Sequence, residues 1–205
     1  MILRRSLLPA AIALSIGGAG SVPLAVAAAD PAAFINDLGN RALEVLGKNS
    51  TGRQREARFR ELFHRDFDVP TIARFVLGRY WRIATPEQQQ EFVKLFAEYI
   101  TFSYSNRLAQ YSGETLKVTG SRPEPGDWIV NSLILRTNGA PASKVDWRLA
   151  WSGGSYKITD VIFEGISMAV TQRSEFASVI RRHGGQVQGL LTLLRQKTEG
   201  AAAHP

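Results

Sequence analysis

Residues 156–185 read YKITDVIFEGISMAVTQRSEFASVIRRHGG, and this stretch decides the fold because a strand pattern runs directly into an amphipathic helix. The first part, up to Phe163, is rich in the β-branched and aromatic residues that pack well on a pleated surface. Gly165 interrupts the strand, and the hydroxyl of Ser167 is suited to cap a helix. The apolar positions that follow recur near helical spacing, at Val170, Phe176, Val179 and Ile180. The stretch therefore predicts a strand followed at once by a packed helix.

Residues 115–155, upstream of this strand, show the alternation and turn composition of a sheet. Segments rich in glycine, proline and asparagine separate three apolar segments, and short turns of this kind join antiparallel neighbours. The predicted strands begin near Thr115 and cover residues 128–137 and 145–151, and a turn at residues 152–155 leads into the strand at Tyr156.

Residues 30–108 carry apolar side chains at helical spacing in four segments. The clearest helix start is Thr85-Pro86-Glu87-Gln88, where Thr85 is suited as N-cap and Gln88 as its capping-box partner. The other predicted helices start at Asp30, at Ser50 or Thr51 and at Val69, and a last helix runs from Gln186 to about Lys197. Helices beside a single antiparallel sheet predict an α+β architecture.

The N-terminal residues have the pattern of a secretory signal peptide. Arg4 and Arg5 form a basic start, residues 7–19 form an apolar run that is short for a membrane span, and residues 25–29 are small. We therefore expect cleavage and export to the periplasm. The predicted divisions are a signal peptide over residues 1–29, a single domain over residues 30–199 and a disordered tail over residues 200–205.

Composition narrows the classes of partner. The 205 residues carry a formal net charge of +7 and contain no cysteine, which excludes disulfides and attachment through a lipidated cysteine. Arg53, Arg55, Arg58 and Arg60 lie on one predicted helix and can touch anionic headgroups or an acidic partner, although a solvated helix face explains them more simply. Nucleic acid is not an expected partner, because aromatic residues are not interleaved with this cluster and exported proteins rarely meet nucleic acid.

No residue set has the spacing of a metal site or a catalytic site. The three histidines have no cysteine beside them and no convergent set of ligands. Asp146, Asp160 and Glu164 lie near each other in sequence, but such carboxylates are more often hydrogen-bonded parts of the structure than acid–base groups. We therefore expect no catalytic residue, no metal and no cofactor.

Two blocks of the sequence resemble the toluene-tolerance, or MlaC-like, family of periplasmic phospholipid carriers. One block is residues 156–185, and the other is Leu77-Gly78-Arg79-Tyr80-Trp81 with Thr85-Pro86-Glu87-Gln88, Phe92, Phe96 and Tyr99. The resemblance covers most of the chain after about residue 32. It implies a cystatin-like or NTF2-like antiparallel sheet packed against helices, with a deep apolar pocket for acyl tails. It also implies phospholipid as the ligand, and as partners an inner-membrane ABC transporter complex and an outer-membrane lipoprotein–porin complex.

Apolar residues that face inward from both halves are the expected lipid-binding set under this resemblance. Periodicity alone does not distinguish the wall of a cavity from a filled core. The headgroup is expected at the mouth, because burying an unpaired phosphate is costly. Arg79, beside Tyr80 and Trp81 in an expected loop at Gly78, is a candidate for the rim. The set is Val76, Tyr80, Trp81, Phe92, Phe96, Tyr99, Tyr104, Trp147, Leu149, Trp151, Ile158, Val161, Phe163, Ile166 and Met168.

The predicted function is a periplasmic carrier that shuttles phospholipid between the inner and outer membranes. A close alternative is the hopanoid-associated branch of the same family, which handles a rigid polycyclic lipid. A second alternative is an enzyme with an NTF2-like pocket, which needs a carboxylate or histidine at the pocket base. A third is an envelope interaction module that binds no lipid.

Overall fold

The computed structural model describes residues 30–46, 51–108 and 113–203, so the predicted signal peptide lies outside the described residues. Within these ranges the chain forms six α-helices, one 3₁₀ helix and one sheet, which confirms the predicted α+β class. The helices are α1 (Pro31–Leu46), α2 (Gly52–Asp66), α3 (Val69–Leu77), the 3₁₀ helix (Gly78–Arg82), α4 (Pro86–Leu108), α5 (Met168–Arg182) and α6 (Val187–Ala203). The strands are β1 (Thr115–Glu124), β2 (Asp127–Leu135), β3 (Ser143–Ser152), β4 (Ser155–Phe163) and β5 (Ile166–Ser167).

The strands form an antiparallel meander in the order β1-β2-β3-β4-β5. Leu149 pairs with Ile158, whereas Arg148 pairs with Asp160, so Thr159 is an extra residue in β4. Such a bulge resets the alternation of side chains along a strand. Ile158 and Val161 therefore share one face of the sheet, although three positions separate them.

Polar side chains start the helices as the sequence predicts. The Gln88 backbone N–H donates to Thr85 Oγ1 at 3.3 Å, and the Thr85 N–H donates to Gln88 Oε1 at 3.1 Å, which completes the capping box of α4. The Val170 N–H donates to Ser167 Oγ at 3.0 Å, which confirms the predicted cap of α5.

Two boundaries differ from the sequence-based expectation. Helix α6 continues past Lys197 to Ala203 and so includes residues 200–203 of the segment expected to be a tail. Its last residues are mostly alanine, which has the highest helix propensity, and this favours continuation of the helix. Residues 78–82, expected as a loop, form the 3₁₀ helix.

The buried side chains form two cores, and α2 contributes to both, with Phe63 in one and Leu62 in the other. One lies among the helices, where α4 packs against α2 and α6 and α5 packs against α3. The other lies between the sheet and α1, which approaches closely at Gly39, where a Cβ would meet Leu116 Cδ2 at 2.9 Å. No helix in the described ranges is long and apolar enough to cross a membrane.

Candidate functional site

An apolar cavity of about 230 Å³ lies where the helical core meets the sheet. Helices α2, α3, α4 and α5 wall one side, and strands β3 and β4 wall the other. Its wall is mostly apolar, and its polar groups belong to Tyr104, Trp147, Thr159, Asp160 and Gln172. The lining residues are Phe59, Phe63, Phe67, Ile72, Val76, Phe96, Ile100, Tyr104, Trp147, Thr159, Asp160, Val161, Met168, Ala169 and Gln172.

Three phenylalanines form the α2 side of the wall. Phe59, Phe63 and Phe67 recur every four residues, so they lie on one face of α2 and its C-terminal extension. The Phe59 and Phe63 ring centroids are 6.2 Å apart, and those of Phe63 and Phe67 are 4.9 Å apart. These ring contacts make a continuous aromatic surface that faces the cavity.

Helix α4 divides its apolar residues between the cavity and the helical core. Phe96, Ile100 and Tyr104 line the cavity at successive turns. Phe92 and Tyr99 contact Phe176 of α5, each with 5.9 Å between ring centroids, and Phe96 also contacts Phe176, at 6.4 Å. One face of α4 therefore lines the cavity, and the adjacent face packs against α5.

Trp147 and Val161 are cross-strand partners, and both line the cavity from the sheet. The Trp147 indole N–H donates to Ser132 Oγ at 2.9 Å, and the buried Ser132 hydroxyl donates to the Val145 carbonyl at 2.8 Å. This chain satisfies the polar atom of the indole, so the ring is fixed in place and presents an apolar surface.

Asp160 is the only carboxylate among the described lining residues. One of its oxygens accepts from Ser167 Oγ at 2.5 Å, and the other accepts from the Ala169 backbone N–H at 3.1 Å. Asp160 therefore anchors the first turn of α5 to the sheet. Both oxygens are engaged, as expected for a structural carboxylate.

The other carboxylates considered as acid–base groups also have structural partners. Asp146 accepts from Asn131 Nδ2 at 2.8 Å and pairs with Lys144 Nζ at 3.4 Å. Glu164 accepts from the Lys144 backbone N–H at 2.8 Å. Within the described ranges, no cluster of three or more His, Asp or Glu side chains comes together as a metal site.

Two groups with shifted acidity lie outside the cavity wall. Hydrogen bonds from Arg122 and, to a lesser extent, from Arg148 lower the pKa of Glu124 at the β1–β2 hairpin. Burial is the main cause that raises the pKa of Tyr156, and the nearby charge of Asp30 adds to it. Neither residue lines the cavity, so these shifts give the cavity no acid–base group.

The structure separates the predicted lipid-binding residues into a cavity group and an outside group. The cavity group is Val76, Phe96, Tyr104, Trp147, Val161 and Met168. Outside it, Tyr80, Phe92, Leu149 and Ile158 are buried in the two cores, Trp81 and Tyr99 are half-buried, and Trp151, Phe163 and Ile166 are exposed. Lipid contact stays a prediction for the whole set.

The remaining lining residues lie outside the predicted set. A signal for three of them was present, because Phe59, Phe63 and Phe67 are aromatic at i, i+4 and i+8. The others missed are Ile72, Ile100, Thr159, Asp160, Ala169 and Gln172. The candidate rim residues Arg79, Tyr80 and Trp81 lie on the 3₁₀ helix, away from the lining of the cavity.

Comparison with known proteins gives a consistent set of relatives. The family model described as MlaC protein matches residues 36–196. The toluene tolerance protein ttg2D of Pseudomonas putida is 27% identical over 121 residues, which are 58% of this chain and 56% of that protein. The intermembrane phospholipid transport system binding protein MlaC of Haemophilus influenzae is 28% identical over 128 residues, 59% of this chain and 58% of that protein. The matches thus span a little over half the length of these relatives.

A solved structure gives a match that extends over the fold. It is the phospholipid-binding protein from Ralstonia solanacearum in complex with a phospholipid, with a TM-score of 0.73 and 25% sequence identity. The match covers 85% of this chain and 99% of that one.

Proposed function

The chain belongs to the MlaC family, and on that premise we propose that it is a periplasmic carrier that binds phospholipid by its acyl chains. The observation that carries the proposal is the apolar cavity between the helices and the sheet. The similar Ralstonia solanacearum protein is a phospholipid complex, and the Haemophilus influenzae relative is named for phospholipid transport between membranes.

The lining of the cavity favours hydrocarbon over a headgroup. No lysine, arginine or histidine is among its described lining residues, so the wall offers no positive charge that could pair with a phosphate. Burying a phosphate without such a partner is costly, whereas apolar surface gains about 0.8 kcal/mol per buried methylene. We therefore place the acyl chains inside and the headgroup outside.

The cavity is small compared with the proposed ligand. Its volume of about 230 Å³ is smaller than the roughly 300–1,000 Å³ of pockets that hold drug-sized ligands, and a phospholipid is larger than such a ligand. Holding both acyl chains therefore requires a wider cavity than the one in this structure.

The energetics of release require docking partners. Removing two long acyl chains from water is worth on the order of 20 kcal/mol, near the ceiling of non-covalent affinity, so release into water is negligible. Transfer between a bilayer and an apolar cavity avoids that cost. We therefore propose docking onto an inner-membrane ABC transporter complex and an outer-membrane lipoprotein–porin complex.

Export to the periplasm is part of the same proposal. The basic start, apolar run and small residues of positions 1–29 support cleavage of a signal peptide. Sequencing the N-terminus of protein recovered from the periplasm tests this, and the expected new N-terminus lies near Asp30. An intact Met1 on the periplasmic protein would contradict it.

The test of function is organic extraction of freshly purified protein, followed by mass spectrometry of the lipid. We expect a diacyl phospholipid. Ala169 lies in the cavity wall and is buried, so Ala169→Trp fills the cavity and should remove most of this lipid. Ala57→Trp is the matched control, because Ala57 is exposed on α2 and lines no part of the cavity.

Three outcomes would count against the proposal. Extracts without lipid in repeated preparations would favour the interaction module. A polycyclic lipid in place of phospholipid would favour the hopanoid branch. Equal lipid content in the Ala169→Trp and Ala57→Trp proteins would place the lipid outside this cavity.

A further inference from the structure

Helices α3 and α5 carry a surface that faces away from the cavity. Ile72, Val76, Met168, Ala169 and Gln172 of these helices line the cavity. Other residues of the two helices, together with the 3₁₀ helix, line two adjoining concavities of about 490 Å³ each. We call this surface the arginine patch, and it consists of Thr71, Arg74, Phe75, Arg79, Arg82, Val170, Arg173 and Arg181.

The arginine patch is strongly positive. Its arginines are all exposed, and none forms an ion pair with a carboxylate in the part of the chain that the structure describes. No aspartate or glutamate among the described residues lines either concavity. Like charges gathered without counter-charges repel each other, so an anionic partner would be favoured here.

Two arginines of the patch, Arg173 and Arg79, are held in place by neighbouring residues. Arg173 lies over the Phe75 ring, with 5.2 Å from Cζ to the ring centroid. It also packs on Gly78, where a Cβ would lie 2.7 Å from Arg173 Nε. The Arg79 guanidinium lies 5.2 Å from the centroid of the Tyr80 ring. These contacts pre-orient the charged groups, which lowers the entropy lost on binding.

Apolar side chains are exposed between the arginines. Phe75 is 42% exposed and Val170 is 51% exposed, and both line the concavities. Exposed aromatic and aliphatic groups among basic residues are the features with which peripheral proteins hold a bilayer surface. Guanidinium groups also match phosphate geometry with paired hydrogen bonds.

We propose that the arginine patch docks onto the surface of a bilayer that contains anionic phospholipids. The guanidinium groups contact lipid phosphates, and Phe75 and Val170 enter the headgroup region. Because α3 and α5 form both the patch and a wall of the cavity, this orientation brings the cavity wall to the membrane. The inference deepens the proposed carrier function and rests on it.

The test is co-sedimentation of the purified protein with vesicles at low ionic strength. One set contains phosphatidylcholine alone, and the other contains equal parts phosphatidylcholine and phosphatidylglycerol. We expect binding to the mixed vesicles only, and weaker binding as salt is added, because surface charges are screened. The variant R74E/R82E changes two exposed arginines of one concavity and should weaken binding at least about 30-fold. Each basic residue near an anionic surface contributes roughly five- to sixfold, and the introduced glutamates add repulsion to the loss of the two arginines.

The matched control is R53E/R58E, which makes the same change of charge on α2. Arg53 and Arg58 are exposed, and α2 packs on α1 and α4, whereas the patch lies on α3 and α5. The control should bind nearly as well as the unmodified protein. R74Q/R82Q keeps the test decisive if the glutamate variant folds poorly, and circular dichroism checks the fold of all three.

Two results would overturn the inference. One is absence of binding to the mixed vesicles, which would leave an acidic protein surface as the candidate occupant. The other is equal loss of binding in R74E/R82E and R53E/R58E, which would reflect net charge alone. Extracted lipid should be unchanged in R74E/R82E, because neither residue lines the cavity. A loss of vesicle binding with full lipid content therefore separates this inference from the carrier function.

Discussion

Asp160 connects the sheet to the first turn of α5 at the edge of the cavity. Its two hydrogen bonds, to Ser167 Oγ and to the Ala169 N–H, do the work of a helix cap. Asp160→Ala should therefore lower the free energy of unfolding by about 0.5–2 kcal/mol, as measured by urea denaturation. Asp160→Asn keeps an acceptor and should lose less.

Equal stability of Asp160→Ala and the unmodified protein would contradict the structural role of this carboxylate. Lipid content is a second readout. We expect it to stay close to normal in both variants, because Asp160 contributes little of the apolar wall.

The packing of α6 against the end of α5 depends on Gly189. A Cβ at this position would lie 2.4 Å from His183 Cβ, which is closer than two non-bonded carbon atoms can approach. Alanine favours a helix over glycine by roughly 0.5–1 kcal/mol, but overpacking costs roughly 1–3 kcal/mol. Gly189→Ala should therefore lower the thermal midpoint of unfolding.

Gly200 provides the matched control on the same helix. A Cβ there meets no atom within 4 Å, so Gly200→Ala should leave the midpoint unchanged or raise it slightly. If Gly189→Ala also raises the midpoint, the close approach of the two helices is wrong.

At the level of elements, local sequence signals predict where a helix starts, but they do not predict what each side chain of an element contacts. Capping residues such as Thr85 and Ser167 act over three residues, so they can be read from the sequence without tertiary information. Trp147, Leu149 and Trp151 occupy alternate positions of β3, yet Trp147 lines the cavity, Leu149 is in the sheet core and Trp151 is 55% exposed. Alternation gives the face of a strand, but what covers that face changes along its length.

At the level of the whole molecule, the decisive feature is the gap between two packed cores. Helix α2 contributes to both cores, and the cavity lies where neither core closes the space. The location of such a gap depends on how far apart the layers sit. The spacing of residues in the sequence does not determine the distance between the layers. The pocket is therefore predicted by the family resemblance and not by the residue pattern.

The same limit applies to the basic surfaces, because the arginines of α2 are neighbours in sequence and those of the arginine patch are not. Four arginines close in sequence are conspicuous, yet Arg60 pairs with Glu56 and Glu98. The arginines of the arginine patch instead come from distant parts of the sequence, between Arg74 and Arg181. Only the packing of α3 against α5 brings these residues onto one surface.

Photo-crosslinking with a phosphatidylcholine analogue that carries a diazirine near the end of one acyl chain locates the bound hydrocarbon. Mass spectrometry of the digested protein then locates the crosslinks. We predict crosslinks on the cavity-lining residues of α2, α4 and β4, such as Phe63, Phe96 and Val161. Crosslinks confined to the arginine patch or to exposed residues such as Trp151 would show that the acyl chains do not occupy the cavity.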